Sequence, residues 1–177
     1  MRLLDNGLVA GTRFVASPNF DERPPGERLT LLVVHSISLP PGRFSGDAVE
    51  RLFTNALDPS EHPYYSQIAD LRVSAHFFIR RAGELIQFVP TGLRAWHAGA
   101  SSWKGRSRCN DFSIGVELEG TETSDYTPSQ YETLASLIRA LREVHPLDDL
   151  AAHSDVAPGR KTDPGPGFDW ARLRAAL

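Results

Sequence analysis

The chain has 177 residues, with 19 Lys plus Arg against 22 Asp plus Glu, for a formal net charge of −3 with His neutral; 41% of it is hydrophobic. That length and composition suit one globular domain with a sizeable core and exclude a disordered chain. The sequence pI of about 6.1 argues against a nucleic-acid partner, which needs a basic face to displace counterions. The longest apolar run, the four residues Leu31 to Val34, falls far short of the roughly 20 residues that span a bilayer. The opening MRLLDNGLVAGTRF carries charge and glycine where a secretory leader needs an unbroken apolar stretch, so export by that route is not expected. A single cysteine, Cys109, cannot form an internal disulfide, which makes a reducing cytoplasm the simplest expected compartment.

In chain order, residues 29–34 are apolar and β-branched toward their end, predicting a buried central strand that delivers His35. A loop over 36–45 follows. Ser45 can then cap a helix with Val49, Leu52, Phe53 and Ala56 on one face, ended near Asp58-Pro59 because proline disfavours helix in the residue before it. Residues 74–81 and 85–89 read as extended, with Ala82-Gly83 turning a hairpin between them. Over 112–119, Phe112, Ile114, Val116 and Leu118 alternate with Ser113, Gly115, Glu117 and Glu119, so one face is core and the other carries two carboxylates. Thr127-Pro128-Ser129-Gln130 has the capping-box pattern with proline at the first helical position. Tyr131, Leu134, Leu137, Ile138, Leu141 and Val144 follow at helical spacing, predicting a helix against the sheet. Residues 150–152 form a second short strand ending in an imidazole, His153. The tail over 154–169 reads as irregular, with a short helix from Trp170. Pro/Gly clusters at 24–26, 40–42 and 158–167 separate no regions of differing composition and read as loops.

A catalytic zinc typically takes three protein ligands and leaves a position for water. His35 and His153 both stand where strands end, and Asp163 follows His153 by ten residues, within reach when loop 156–162 folds back. Two neutral imidazoles and one carboxylate leave a centre of net charge +1, able to polarise water and a carbonyl oxygen. Spacing alone does not single this set out, because the chain has six histidines and His serves equally in cores and on surfaces. Glu117 and Glu119 share a strand face: either could be a general base, or both could be exposed carboxylates on a sheet edge. Lys161 could place an ammonium near developing oxyanion charge, or be a solvated loop lysine. Cys109 has Arg108 as its nearest cation and no base at fixed spacing, so it reads as structural. The segment RAWHAG (94–99) suits a cleft wall for a sugar or peptide, and equally a packed loop. Arg72, Arg106 and Arg108 could bind ligand carboxylates, or be surface residues.

Together the blocks SPNFDERP (17–24), LLVVHSISLPPG (31–42), HPYYSQIADLRVSAHFFIRRAGELIQFVP (62–90), RAWHAG (94–99), GRSRCNDFSIGVELEG (105–120) and HSDVAPGRKTDPGPGFDW (153–170) resemble the zinc-dependent N-acetylmuramoyl-L-alanine amidases of the amidase-2 type. These share their fold with peptidoglycan recognition proteins. The blocks resemble most narrowly the cytoplasmic branch that cleaves 1,6-anhydro-N-acetylmuramyl peptides in cell-wall recycling. The resemblance implies a single α/β domain over 1–177, core at about 28–170, with a central mixed β-sheet flanked by helices. It places the zinc ligands on His35, His153 and Asp163 and the catalytic pair on Glu117 and Lys161, and it suggests Trp96, His97, Arg108 and Asn110 for substrate binding, to which Arg72 is added as a carboxylate-binding candidate. Ser36 departs from the asparagine usual after the first ligand, which bears on a contact to the substrate peptide. Amidases acting on polymeric wall are the nearest alternative. Superfamily members that lose a zinc ligand bind muropeptides without cutting them, whereas every ligand position is filled here.

Overall fold

The computed structural model describes residues 1–177. Its elements in chain order are β1 (Arg13–Phe14), β2 (Phe20–Asp21), β3 (Leu31–Ile37), α1 (Ala48–Phe53), β4 (Phe77–Ile79), β5 (Leu85–Gln87), β6 (Arg94–Ala95), β7 (Ser102–Trp103), β8 (Arg106–Ser107), β9 (Ser113–Glu119), α2 (Pro128–Arg142), β10 (Asp149–Ala152), α3 (His153–Val156) and α4 (Trp170–Ala175). Six strands form one mixed sheet in the order β1-β5-β4-β9-β3-β10. Only the β4–β5 hairpin is antiparallel; β1–β5, β4–β9, β9–β3 and β3–β10 are parallel. The α/β architecture with a central mixed sheet and flanking helices is the one the sequence implied.

Strand alternation divides the core between the two faces. Leu32, Val34, Ile114, Val116, Leu118, Phe77 and Ile79 face α2, whose Leu134, Leu137, Ile138 and Leu141 are fully buried against them. Each such side chain contributes roughly 1.5–3 kcal/mol relative to exposure. Phe78 and Ile86 point to the opposite face and meet Val49, Leu52 and Phe53 of α1. Leu31 and Val33 meet Cys109, Phe112 and Val156 there. The capping box forms as the sequence requires: Thr127 Oγ1 accepts from Gln130 N–H (3.2 Å) and Gln130 Oε1 accepts from Thr127 N–H (3.0 Å). Gln130 is itself buried, and its amide donates to the carbonyls of Ile79 (3.2 Å) and Glu119 (3.0 Å), tying the helix start to the ends of β4 and β9.

Several sequence-based boundaries move. The first helix begins at Ala48 behind Asp47 and not behind Ser45, because Gly46 (φ 82°) turns the chain left-handed just ahead of it; Ala56 lies beyond its end. Ladder pairing in the first hairpin strand is confined to Phe77–Ile79, although Ser74 and His76 still donate their N–H groups to the carbonyls of Trp96 and Gly115. Val144 falls past the end of α2 and is 60% exposed. The stretch after His153 is not wholly irregular, since α3 makes one turn, with Asp155 accepting from Ala152 N–H. Glu117 and Glu119 are not on an edge: β9 lies between β4 and β3, and all seven of its residues are buried.

Candidate active site

Parallel register brings the candidate residues together. Ala152 of β10 pairs with Val34 of β3, so His153, one step beyond, stands beside His35. On the other side of β3, Glu117 of β9 pairs with His35 directly. Three functional groups therefore emerge at the C-terminal ends of adjacent parallel strands, where open α/β sheets place their sites. Asp163 arrives on the loop after α3, and its carbonyl accepts from Ser154 N–H (3.0 Å). That loop is held from outside: Tyr126 OH donates to Pro164 O (2.8 Å), and a Cβ at Gly165 would lie 2.1 Å from the Glu122 carbonyl oxygen. Only glycine permits this approach, and its φ of 81° is itself left-handed.

Here the donor atoms converge. His35 Nδ1 lies 2.9 Å from His153 Nδ1 and 3.4 Å from Asp163 Oδ2, and His153 Nδ1 lies 3.1 Å from the same oxygen. His35 (1% exposed) and His153 (4%) are buried, so this triangle sits at the floor of the cleft. Burial lowers the His35 pKa to about 4, keeping the imidazole neutral and its lone pair available. Burial, the largest single influence, pushes Asp163 up, but the hydrogen bonds and charge interactions with His153 and His35 together outweigh it and hold the carboxyl well below the usual range. Two imidazole nitrogens and one carboxylate oxygen, all within 4.8 Å of one another, form a group able to bind a metal ion.

A cleft of about 520 Å³ opens above this group, and its lining combines the polar Glu117, Lys161 and Thr121 with the apolar or aromatic Ile37, Tyr64, Ile68, Val73 and Trp96. Glu117 Oε2 is buried with no hydrogen-bond partner. Burial, reinforced by the nearby Asp163 carboxylate, raises its pKa well above the carboxylate range, and Lys161 opposes that rise. Glu119, two residues on, is engaged differently: its Oε2 accepts from Arg81 N–H (2.9 Å). The strand face that offered two carboxylates thus presents one, Glu117, with no hydrogen-bond partner.

Trp96 and His97 line the cleft, whereas Arg72, Arg108 and Asn110 lie outside its lining. The exposed Arg72 guanidinium turns back to the carbonyls of Ala69 and Leu71. Arg108, 69% exposed, pairs with Asp111, and Arg106 pairs with Glu27 (2.6 Å). Asn110 is buried, and its Oδ1 accepts from the N–H groups of His97 (3.3 Å) and Ala98 (2.8 Å). Sequence reasoning missed Arg23, whose guanidinium donates to the carbonyls of Thr91, Asn110, Asp111 and Ser113 and so ties the segment before β6 to the start of β9. Arg23 Nη2 also lies 2.9 Å from His76 Nε2, and no spacing rule flags a side chain whose partners are chiefly backbone carbonyls.

A group able to hold a metal ion at the foot of a cleft, next to an acid kept from solvent, suits attack by water on a polarised carbonyl, and fold and site together point to the class of hydrolases. Comparison with known proteins narrows this class: the family model for N-acetylmuramoyl-L-alanine amidase matches residues 25–166, and the chain belongs to that family. It is 57% identical to 1,6-anhydro-N-acetylmuramyl-L-alanine amidase AmpD of Escherichia coli (strain K12), over 99% of this chain and 97% of that protein. The crystal structure of a Se-Met AmpD derivative matches with a TM-score of 0.96 at 56% identity, over 99% of both chains. The E. coli amidase AmiD, solved in complex with the substrate anhydro-N-acetylmuramic acid-L-Ala-D-gamma-Glu-L-Lys, matches with a TM-score of 0.62 at 27% identity, over 88% of this chain and 60% of that one.

Proposed function

We propose that this amidase cleaves the bond between the lactyl group of 1,6-anhydro-N-acetylmuramic acid and L-Ala of the stem peptide, using zinc held by His35, His153 and Asp163. The convergence of those three donor atoms carries the proposal. Bonds of about 2.0–2.1 Å in a tetrahedron space zinc ligands by about 3.3 Å, and the donor triangle has edges of 2.9, 3.1 and 3.4 Å. When bound, zinc supplies Lewis-acid charge that brings water toward ionisation at neutral pH and polarises the scissile carbonyl.

The chain's own residues do the rest. Glu117 Oε2, free of competing hydrogen bonds, takes the proton of the attacking water and returns it to the departing L-Ala nitrogen, a role that its raised pKa suits. Lys161 lines the same cleft and lends its ammonium to the oxyanion. Trp96 offers an apolar ring to the sugar face, and Tyr64 and Ile68 add to the same apolar lining. Ser36, also in the lining, has a shorter reach to the peptide than asparagine has. We read the chain as one amidase domain across residues 1–177, working on soluble fragments in the cytoplasm. No helix is long and apolar enough to cross a membrane.

The test is release of peptide from anhydro-muramyl tripeptide by metal-free protein before and after one equivalent of zinc, read by mass spectrometry, with insoluble sacculi assayed alongside. Zinc-dependent separation of sugar from peptide is expected, with little action on sacculi. Turnover that strong chelators leave untouched would overturn the zinc assignment, and equal action on sacculi would overturn the recycling substrate.

A further inference from the structure

A zinc-ligating imidazole uses one nitrogen for the metal and carries its proton on the other, and that N–H needs an acceptor when it is buried. His35 points Nδ1 at His153 and Asp163, so its donor is Nε2, and the atom facing it is His97 Nδ1 at 2.9 Å. Donor counting then fixes the next link. With Nδ1 accepting, neutral His97 carries its proton on Nε2, 3.1 Å from Ser113 Oγ, which accepts it. The second ligand follows the same pattern: His153 Nε2 faces the Ala98 carbonyl at 3.3 Å. One dipeptide, 97–98, therefore receives the outward N–H groups of both ligand histidines, and Asn110 Oδ1 holds its two backbone N–H groups.

The backbone beneath His97 points the same way. Gly115 lies in the middle of β9 and its φ is not left-handed, so its backbone conformation does not call for glycine. A Cβ at that position would sit 2.4 Å from His97 Cγ and 2.6 Å from its Nδ1. The glycine is there to seat the imidazole flat against the strand. His76 Nδ1 accepts the Gly115 N–H (3.0 Å), which anchors the backbone at that seat.

We propose that His97 is a positioning residue: seated on Gly115 and relayed to Ser113, it orients His35 for ligation as the acceptor of its Nε2–H. This rests on the zinc site proposed above. Zinc affinity, measured by competition with a chromophoric chelator, should fall about 10-fold to 100-fold in His97→Phe, the usual effect of removing such an outer partner. His97→Asn, whose amide oxygen can take the place of Nδ1, should recover much of that loss. Gly115→Ala should weaken zinc although it removes no polar group. In the zinc-loaded unsubstituted protein, ¹⁵N spectra of the histidines should show the His97 proton on Nε2. Unchanged zinc affinity in a folded His97→Phe protein, or a His97 proton on Nδ1, would overturn the inference; the spectra decide alone if the variants do not fold. Failure of the unsubstituted protein to bind zinc, or binding that His35→Ala leaves intact, would instead overturn the metal site itself.

Discussion

Glu117 is held in an environment that works against its charge. Its carboxyl pKa is raised by burial and then by Asp163, whereas in the unfolded chain it ionises near its ordinary value of about 4.3. The folded state therefore binds the extra proton, and stability is lost as pH rises from that ordinary value through the raised one. Glu117→Gln removes this cost, so at pH 7 the metal-free variant should melt at a higher temperature than the metal-free unsubstituted protein, and the zinc-loaded variant should lose turnover. A lower melting temperature would show that the carboxyl stabilises the fold. Lys161→Ala should keep zinc and fold yet lose on the order of 10²-fold to 10³-fold in kcat, the usual effect of deleting one oxyanion donor; a near-normal rate would remove Lys161 from the reaction. At this scale the sequence was readable for chemistry and not for environment. It could nominate Glu117 and Glu119 together, because alternation puts them on one face, but the Arg81 N–H that engages Glu119 comes from a separate hairpin.

Elements were legible in proportion to their length. The strand β9 and the helix α2 run long enough for period and capping to show, and both stand close to where the pattern put them. β1, β2, β6, β7 and β8 have two residues each, too few for any period, and exist because partner strands or turns fix them. The cap of α2 should carry measurable stability: Thr127→Ala is expected to cost about 1 kcal/mol in denaturant unfolding, since it also loses the bond from Thr127 Oγ1 to the Arg81 carbonyl (2.7 Å). The loop carrying Asp163 depends on contact with the 121–124 segment. Gly165→Ala meets the Glu122 backbone and a left-handed φ at once, so it should weaken zinc binding by displacing Asp163, with α2 intact by circular dichroism. Unchanged zinc affinity would show that the loop tolerates the shift.

For the molecule as a whole, acid is the expected weakness. His35, His76, His97 and His145 all have pKa values lowered chiefly by burial, His35 to about 4. In the unfolded chain each takes a proton near pH 6.5, so unfolding binds protons, and the metal-free protein loses stability as pH falls from about 6.5 toward 4. Thermal melts across that window should show a steady decline; a flat profile would mean that the imidazoles reach solvent. The parallel register carries a different consequence, for the order of events during folding. His35 and His153 are 118 positions apart, and they meet only once β3 and β10, from the first and last parts of the chain, have paired. Such distant pairings form late and slowly. No fragment can assemble the triad, so the ion cannot act as a template for early structure. Capture of zinc would be the last event of biogenesis, and a chain still unfinished on the ribosome would have no claim on the cell's zinc.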